Sequence, residues 1–133
     1  MTLIEELNAA DGSFLLELRI NFNWNHTSFI NLLIELNKEC KLTKEDLQLS
    51  REIASGVWYI SDFIKSWTEN ENFPKKYSAA YYEKSYELIG DLAYFYFISE
   101  SPYLSESEIE NKILELNEIS KEDKHYFSNP NIK

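Results

Sequence analysis

The chain has 133 residues, of which 44% are hydrophobic, and it carries a formal net charge of −10. This length predicts one domain with a real core, and the acidic charge argues against binding to nucleic acid or to an anionic membrane, since both are polyanions. A single cysteine, Cys40, excludes an internal disulfide framework, and we find neither a signal peptide nor a run of roughly 18 apolar residues, so we expect a cytoplasmic protein.

The first elements are short. Three glycines and three prolines in the whole chain favour a few long helices over many short strands. A short amphipathic helix is predicted over residues 2–10, and Asp11-Gly12 ends it. Residues 13–24 alternate like a strand but also present a helix face. Because no other segment could supply a partner strand, we interpret them as helix capped by Ser13, and strand stays the alternative.

Two longer helices follow. Asn25 is predicted to cap a helix over residues 26–39. Residues 47–67 have the strongest apolar periodicity, and their apolar stripe is wide, so we expect a central helix that is covered on more than one side. Residues 43–46 (TKED) resemble a capping box that begins this helix. Gly56 lies in its interior, either because another helix packs closely there or as an ordinary tolerated glycine.

The remaining segments complete a bundle. A second long helix is predicted over residues 76–98, antiparallel to the central one because the connection is short. Residues 105–108 (SESE) are predicted as a capping box for a helix that ends near Asn117, and Ser120 as the cap of a last short turn. We expect residues 127–133 to fray. The fold class is therefore all-α: a single domain over residues 1–133, with about five to six helices around a central long antiparallel pair.

We find no motif that indicates catalysis or cofactor binding. Glycine-rich phosphate loops, nucleophile elbows, C-x-x-C and H-E-x-x-H are absent from the sequence. Glu122-x-x-His125 matches half of a di-iron helix-bundle site, but the second half does not exist. Cys40 continues an apolar helical row, which is typical of a buried, unreactive thiol. We therefore expect no enzymatic activity, no metal and no cofactor.

Two surface features could serve a protein partner. Glu83, Glu87 and Asp91 are spaced four apart, so they form an acidic stripe whose like charges repel slightly. Either the stripe is an ordinary solvated helix face or it binds a basic partner. The chain also has nine tyrosines, more than a core of this size is expected to bury with every hydroxyl satisfied. Surface tyrosine beside acid is typical of protein-binding faces, although each tyrosine could instead be half-buried with a hydrated hydroxyl.

Several stretches between about residues 22 and 103 form a recognisable set: Phe22-x-Trp24-Asn25, residues 51–68 (R-x-I-A-x-x-V-W-Y-I-S-x-F-I-x-x-W-T), Asn72-Phe73, and residues 92–97 (LAYFYF) with Ser101-Pro102-Tyr103. Together they resemble small helical immunity proteins of bacterial polymorphic-toxin and contact-dependent growth inhibition systems. The resemblance implies a protein that binds and neutralises a cognate toxin domain in the cytoplasm and has no catalysis of its own. Many such toxins are nucleases with basic surfaces, which an acidic inhibitor suits.

The resemblance does not identify the contact residues, since in these families the toxin-contacting positions vary. We predict them from charge and from tyrosine, on the second long helix and the loop before it: Glu69, Glu71, Tyr81, Glu83, Glu87 and Asp91. The alternative function is a small acidic regulatory or adaptor protein that binds a different basic partner. Gene neighbourhood distinguishes the two, because an immunity gene directly follows a toxin gene.

Overall fold

The computed structural model describes the backbone of residues 1–128 and the side chains of residues 1–123. The described residues form helices and no strand, which confirms the all-α fold class and the helical interpretation of residues 13–24. The helices in chain order are α1 (Leu3–Leu7), α2 (Phe14–Asn21), α3 (His26–Thr43), α4 (Arg51–Thr68), α5 (Ala79–Ile98) and α6 (Ser107–Ser128). Residues 129–133 of the tail that we predicted to fray lie outside the described residues.

Side-chain caps set where the helices begin. The predicted caps Ser13 and Asn25 accept hydrogen bonds from backbone amides in the first turns of α2 and α3. The capping box predicted at residues 43–46 is wrong, because α3 continues to Thr43, whose hydroxyl donates to the Glu39 carbonyl at 2.9 Å. Helix α4 begins later than predicted, and its cap is Ser50.

The central helix is α5, not α4. Helix α5 packs against α3, α4 and α6 and buries nine of its residues, whereas α4 buries four. Helix α4 is covered on more than one side as predicted, since it packs against α1 and α5, but part of its wide apolar stripe lies on the surface, including Trp58, which is 66% exposed. The two helices still form the predicted long pair, joined by residues 69–78.

Helix α6 is one continuous helix rather than a helix and a separate short turn. The predicted break at Ser120 is absent because the apolar row of Ile109, Ile113 and Leu116 continues to Ile119, which packs against the core. The predicted capping box at residues 105–108 does not form either. The Ser105 hydroxyl accepts from the Ser107 amide at 3.3 Å, and the helix begins at Ser107.

A close contact between helices explains the interior glycine of α4. A Cβ atom at Gly56 would lie 2.9 Å from the Cδ1 atom of Leu7, so α1 packs directly against this part of α4. Of the two explanations for Gly56, the structure supports close packing. Within residues 1–128, no helix combines the length and the apolar character needed to cross a bilayer.

Candidate protein-binding site

Three of the six predicted contact residues lie together. Glu69, at the end of α4, and Glu83 and Glu87, on α5, are exposed and line one groove between the two helices. The groove has a volume of about 540 Å³, and Tyr86 and Gly90 are also among its lining residues. We name it the acidic groove. It brings side chains from two helices onto one surface, which spacing along α5 alone could not show.

The charge of the acidic groove is only partly compensated. Lys65 lines the same groove and pairs with Glu69 at 3.7 Å between Nζ and Oε1. Both side chains are more than half exposed, so this ion pair stabilises the fold by less than about 1 kcal/mol. A neighbouring depression adds Lys75 beside Glu69 and Glu83. The carboxylates of Glu83 and Glu87 form no ion pair with the residues that the structure describes.

Tyr81 is not a contact residue, which corrects our prediction. Its side chain is fully buried, and its hydroxyl accepts a hydrogen bond from the Trp24 indole at 2.8 Å. The same oxygen lies 2.7 Å from Nδ1 of His26. Burial raises the pKa of Tyr81 well above its usual range. The partners of Tyr81 lie far away in the chain, so its local sequence gave no sign that its hydroxyl is satisfied internally.

The other two predicted residues lie apart from the acidic groove. Asp91 is half-buried and accepts a hydrogen bond from the Tyr103 hydroxyl, so it holds the segment after α5 in place. Burial, with Asp91 as a further cause, raises the pKa of Tyr103 above its usual range. Glu71 is exposed in the connection between α4 and α5 and is not among the residues that line the groove. The acidic stripe on α5 is thus reduced to Glu83 and Glu87.

The prediction that some tyrosines lie at the surface is confirmed for two of them. Tyr59 and Tyr94 are exposed, whereas Tyr82 is buried and its pKa is raised to about 12 by burial. Tyr86 is half-buried beside the acidic groove, and its hydroxyl donates to the Thr68 hydroxyl at 2.6 Å. This bond ties the end of α4 to α5 and fixes the relative position of the groove walls.

A column of stacked aromatic rings that we did not predict runs along α4 on the side that meets α2. Tyr59, Phe63 and Trp67 stack in succession, with ring centroids 5.1 and 5.3 Å apart. Phe22, which follows α2, stacks on Trp67 at 5.8 Å. We name these four residues the aromatic column. The spacing of four residues along α4 is a signal that could have predicted the three-ring part.

A small pocket lies at the Phe22 end of the aromatic column. Its volume is about 220 Å³, and it is lined by the rings of Phe22, Trp67 and Phe73 together with Asn70 and Asn72. We name it the Trp67 pocket. It combines apolar rings with two asparagines.

Other chemically active groups are engaged inside the fold. Cys40 is buried, its pKa is raised to about 12 by burial, and its Sγ contacts the Leu92 carbonyl at 3.4 Å. Both ring nitrogens of His26 have hydrogen-bond partners. Within the described part of the chain, no three His, Cys, Asp or Glu residues are grouped so that they could hold a metal ion. The side chain of His125, half of the Glu122-x-x-His125 pair, lies outside the described residues.

Comparisons with protein-family models, with curated proteins and with solved structures find no match. The resemblance to immunity proteins therefore stays a prediction. Function has to be inferred from the acidic groove, the aromatic column and the Trp67 pocket.

Proposed function

We propose that this protein is an immunity protein, which binds a cognate bacterial toxin domain in the cytoplasm and neutralises it by direct contact. The observation that carries the proposal is the acidic groove: Glu69, Glu83 and Glu87 line one surface between two helices of a chain whose net charge is −10. A basic toxin domain, such as a nuclease, would be complementary to this surface. The resemblance of residues 22–103 to immunity proteins supports the same function.

The arrangement of the groove favours fast and specific binding. Its carboxylates project from α4 and α5, which pack together and are joined by the bond between Thr68 and Tyr86. Binding to a rigid surface loses less conformational entropy than binding to a flexible loop. The acidic charge also raises the rate of encounter with a basic partner, and this contribution falls as the salt concentration rises.

The first test is to isolate the partner. The tagged protein is used to capture proteins from a lysate of its own organism at low salt, and bound proteins are then eluted with high salt. We expect one basic protein that is toxic when it is expressed alone and harmless when it is co-expressed with this chain. A partner that is non-toxic and part of a housekeeping complex would contradict the proposal and favour the regulatory or adaptor alternative.

The second test locates the contact surface by charge reversal. The variant replaces the three groove carboxylates by lysine: Glu69→Lys, Glu83→Lys and Glu87→Lys. We expect its affinity for the captured toxin at low salt to fall at least about tenfold, because complementary contacts become repulsive. Circular dichroism should show an unchanged fold, since all three side chains are exposed.

A matched control distinguishes an effect of the groove residues on affinity from an effect of the net charge. The control variant reverses three exposed acidic residues elsewhere: Glu45→Lys, Asp46→Lys and Glu100→Lys. Both variants change the net charge by the same amount, so we expect the control to retain most of the affinity. Equal losses in the two variants would show that only overall charge matters and would remove the groove as the contact surface.

A further inference from the structure

Two rings of the aromatic column, those of Phe22 and Tyr59, are exposed to solvent and lie outside the hydrophobic core. Phe22 is 48% exposed and Tyr59 is 37% exposed, although each stacks on a neighbouring ring. Fully burying an aromatic ring is a main source of stability in a small domain. Because these two rings are partly exposed, each stabilises the fold less than a fully buried ring would. Exposed aromatic rings in a fixed geometry are typical of residues that bind a protein partner.

The backbone at Phe22 supports this interpretation. Phe22 is the C-terminal cap of α2 and has a φ of 52°, in the left-handed region. Glycine and asparagine adopt this conformation most easily, whereas a bulky side chain is strained in it. The chain therefore holds a phenylalanine where folding alone would favour a smaller residue, and its ring forms one wall of the Trp67 pocket.

The chemistry of the Trp67 pocket matches an arginine side chain. A planar guanidinium stacks on aromatic rings, and its N–H groups donate to amide oxygens. The pocket offers the rings of Phe22 and Trp67 and two asparagine side chains, of which Asn70 Oδ1 already accepts from the Asn72 backbone amide at 2.9 Å and keeps one lone pair. One guanidinium already lies on the column within the chain itself, since the Arg19 Cζ atom is 5.8 Å from the Phe63 ring centroid.

The Trp67 pocket and the acidic groove meet at the end of α4. Trp67 and Asn70 line the pocket, and Glu69 lines the groove. The exposed carboxylate of Glu71 lies in the chain between the two pocket asparagines and forms no ion pair with any described residue. A basic surface that covers this end of α4 would therefore contact both features, and the net charge of −10 favours a cationic side chain as the occupant.

We infer that the Trp67 pocket is an anchor site for an arginine side chain of a basic protein partner. This inference rests on the proposed function and adds a specific contact to it. Lysine carries the same charge but has no planar group to stack, so arginine should be preferred.

The test uses two short peptides as probes, capped tetra-arginine and capped tetra-lysine, which have equal length and charge. Each is titrated into the ¹⁵N-labelled protein and followed by NMR. We expect tetra-arginine to shift the indole N–H signal of Trp67 and the side-chain amide signals of Asn70 and Asn72 at about tenfold lower concentration than tetra-lysine. Equal concentrations for the two peptides, or shifts confined to groove residues, would overturn the inference.

Variants that remove parts of the pocket but are expected to fold separate loss of binding from loss of folding. Phe22→Asn keeps a residue that tolerates the left-handed conformation but removes a wall of the pocket, and Asn72→Ala removes an exposed amide. We expect both variants to keep a cooperative thermal transition and to lose the preference for arginine. Trp58→Ala is the control, because Trp58 is exposed but is neither in the column nor in the pocket. An arginine preference that survives in Phe22→Asn would contradict the inference.

Failure of this inference and failure of the proposed function are distinguishable. A toxin that binds the protein, depends on the acidic groove and is indifferent to Phe22→Asn would overturn only the anchor site. An arginine preference at the Trp67 pocket in a protein whose captured partner is not toxic would overturn only the immunity function.

Discussion

The Tyr81 hydroxyl and the His26 ring form a hydrogen bond of 2.7 Å, although the two residues are 55 positions apart in the chain. Trp24 donates to the same phenolic oxygen, so the Tyr81 O–H is free to donate to Nδ1 of His26. Nε2 of His26 then carries the ring proton and donates to Asn117 at 2.7 Å. A neutral imidazole therefore satisfies every member of this network, which joins Trp24 and the first residue of α3 to α5 and α6.

The first prediction concerns the centre of that network. Tyr81→Phe removes the hydroxyl and leaves the Trp24 indole and Nδ1 of His26 without a partner. We expect the free energy of unfolding to fall by about 1–3 kcal/mol, measured by urea denaturation, because buried polar groups are left unsatisfied. Tyr94→Phe is the control on the same helix. Tyr94 is exposed, so its loss should be within about 0.5 kcal/mol, and equal losses would contradict the role of Tyr81.

The second prediction concerns pH. Burial lowers the pKa of His26 below its usual value, with the Asn117 hydrogen bond acting in the opposite direction. The unfolded chain therefore binds a proton at this residue before the folded chain does, so folding stability is lost as the pH falls from about 6.5 through the folded pKa. NMR titration of the imidazole in a His125→Gln background, which leaves one histidine, measures this pKa directly.

A comparison of unfolding free energies over the same pH range completes this test. His26→Gln should lose the part of the acid destabilisation that the imidazole causes, while the part due to carboxylates remains. A His26 pKa at or above 6.5 in the folded protein would contradict the prediction.

The third prediction uses the two helical glycines as a matched pair. Gly56→Ala places a Cβ 2.9 Å from Leu7, so we expect it to destabilise the protein by about 1–3 kcal/mol despite the better helix propensity of alanine. Gly90→Ala meets no atom within 4 Å and should stabilise the protein by about 0.5–1 kcal/mol. Thermal unfolding of the two variants checks the sign of each stability change. Stabilisation by Gly56→Ala would contradict the prediction and show that α1 shifts to accommodate the added methyl group.

The fourth prediction concerns the beginning of α4. Ser50→Ala removes the side-chain oxygen that caps the helix and should cost about 1 kcal/mol of unfolding free energy. Thr43→Ala should cost less, because Thr43 lies at the end of α3 and bonds only a carbonyl of its own helix. A larger loss of unfolding free energy in Thr43→Ala than in Ser50→Ala, measured by urea denaturation, would contradict this and favour an α4 that begins near residue 47.

Helix identity was predictable because it depends on local pattern. Residues 13–24 satisfied both a strand and a helix pattern, and the buried set of Phe14, Leu15 and Leu18 follows the helix spacing. The start of α4 was predicted at residues 43–46, whereas its cap is Ser50, because α3 continues to Thr43 and those residues belong to its end. The apolar row of α3 predicted that Cys40 is buried, but its contact with the Leu92 carbonyl of α5 joins positions far apart in the chain and could not be predicted from local pattern.

The site was predictable only in part. The exposed positions of Glu83 and Glu87 could be predicted from their spacing along α5. Asp91 has the same spacing, but it accepts a hydrogen bond from Tyr103, which lies in a later segment. Tyr81 and Tyr94 lie on the same helix, and one is fully buried while the other is exposed. Helix α5 carries apolar residues on most sides, so its sequence does not show which of them face its three neighbours.

Helix α6 is held by two kinds of contact, and they predict a gradient of hydrogen exchange along it. Its earlier part buries Ile109, Ile113 and Leu116, whereas Asp123 near its end is held through hydrogen bonds to Ser78. Amides over residues 109–116 should exchange only when the whole domain unfolds, and those over 118–123 should exchange through local opening. Asn117, whose Oδ1 accepts from Nε2 of His26, lies at the boundary between the two parts, so we expect the change from global to local exchange to fall near this residue.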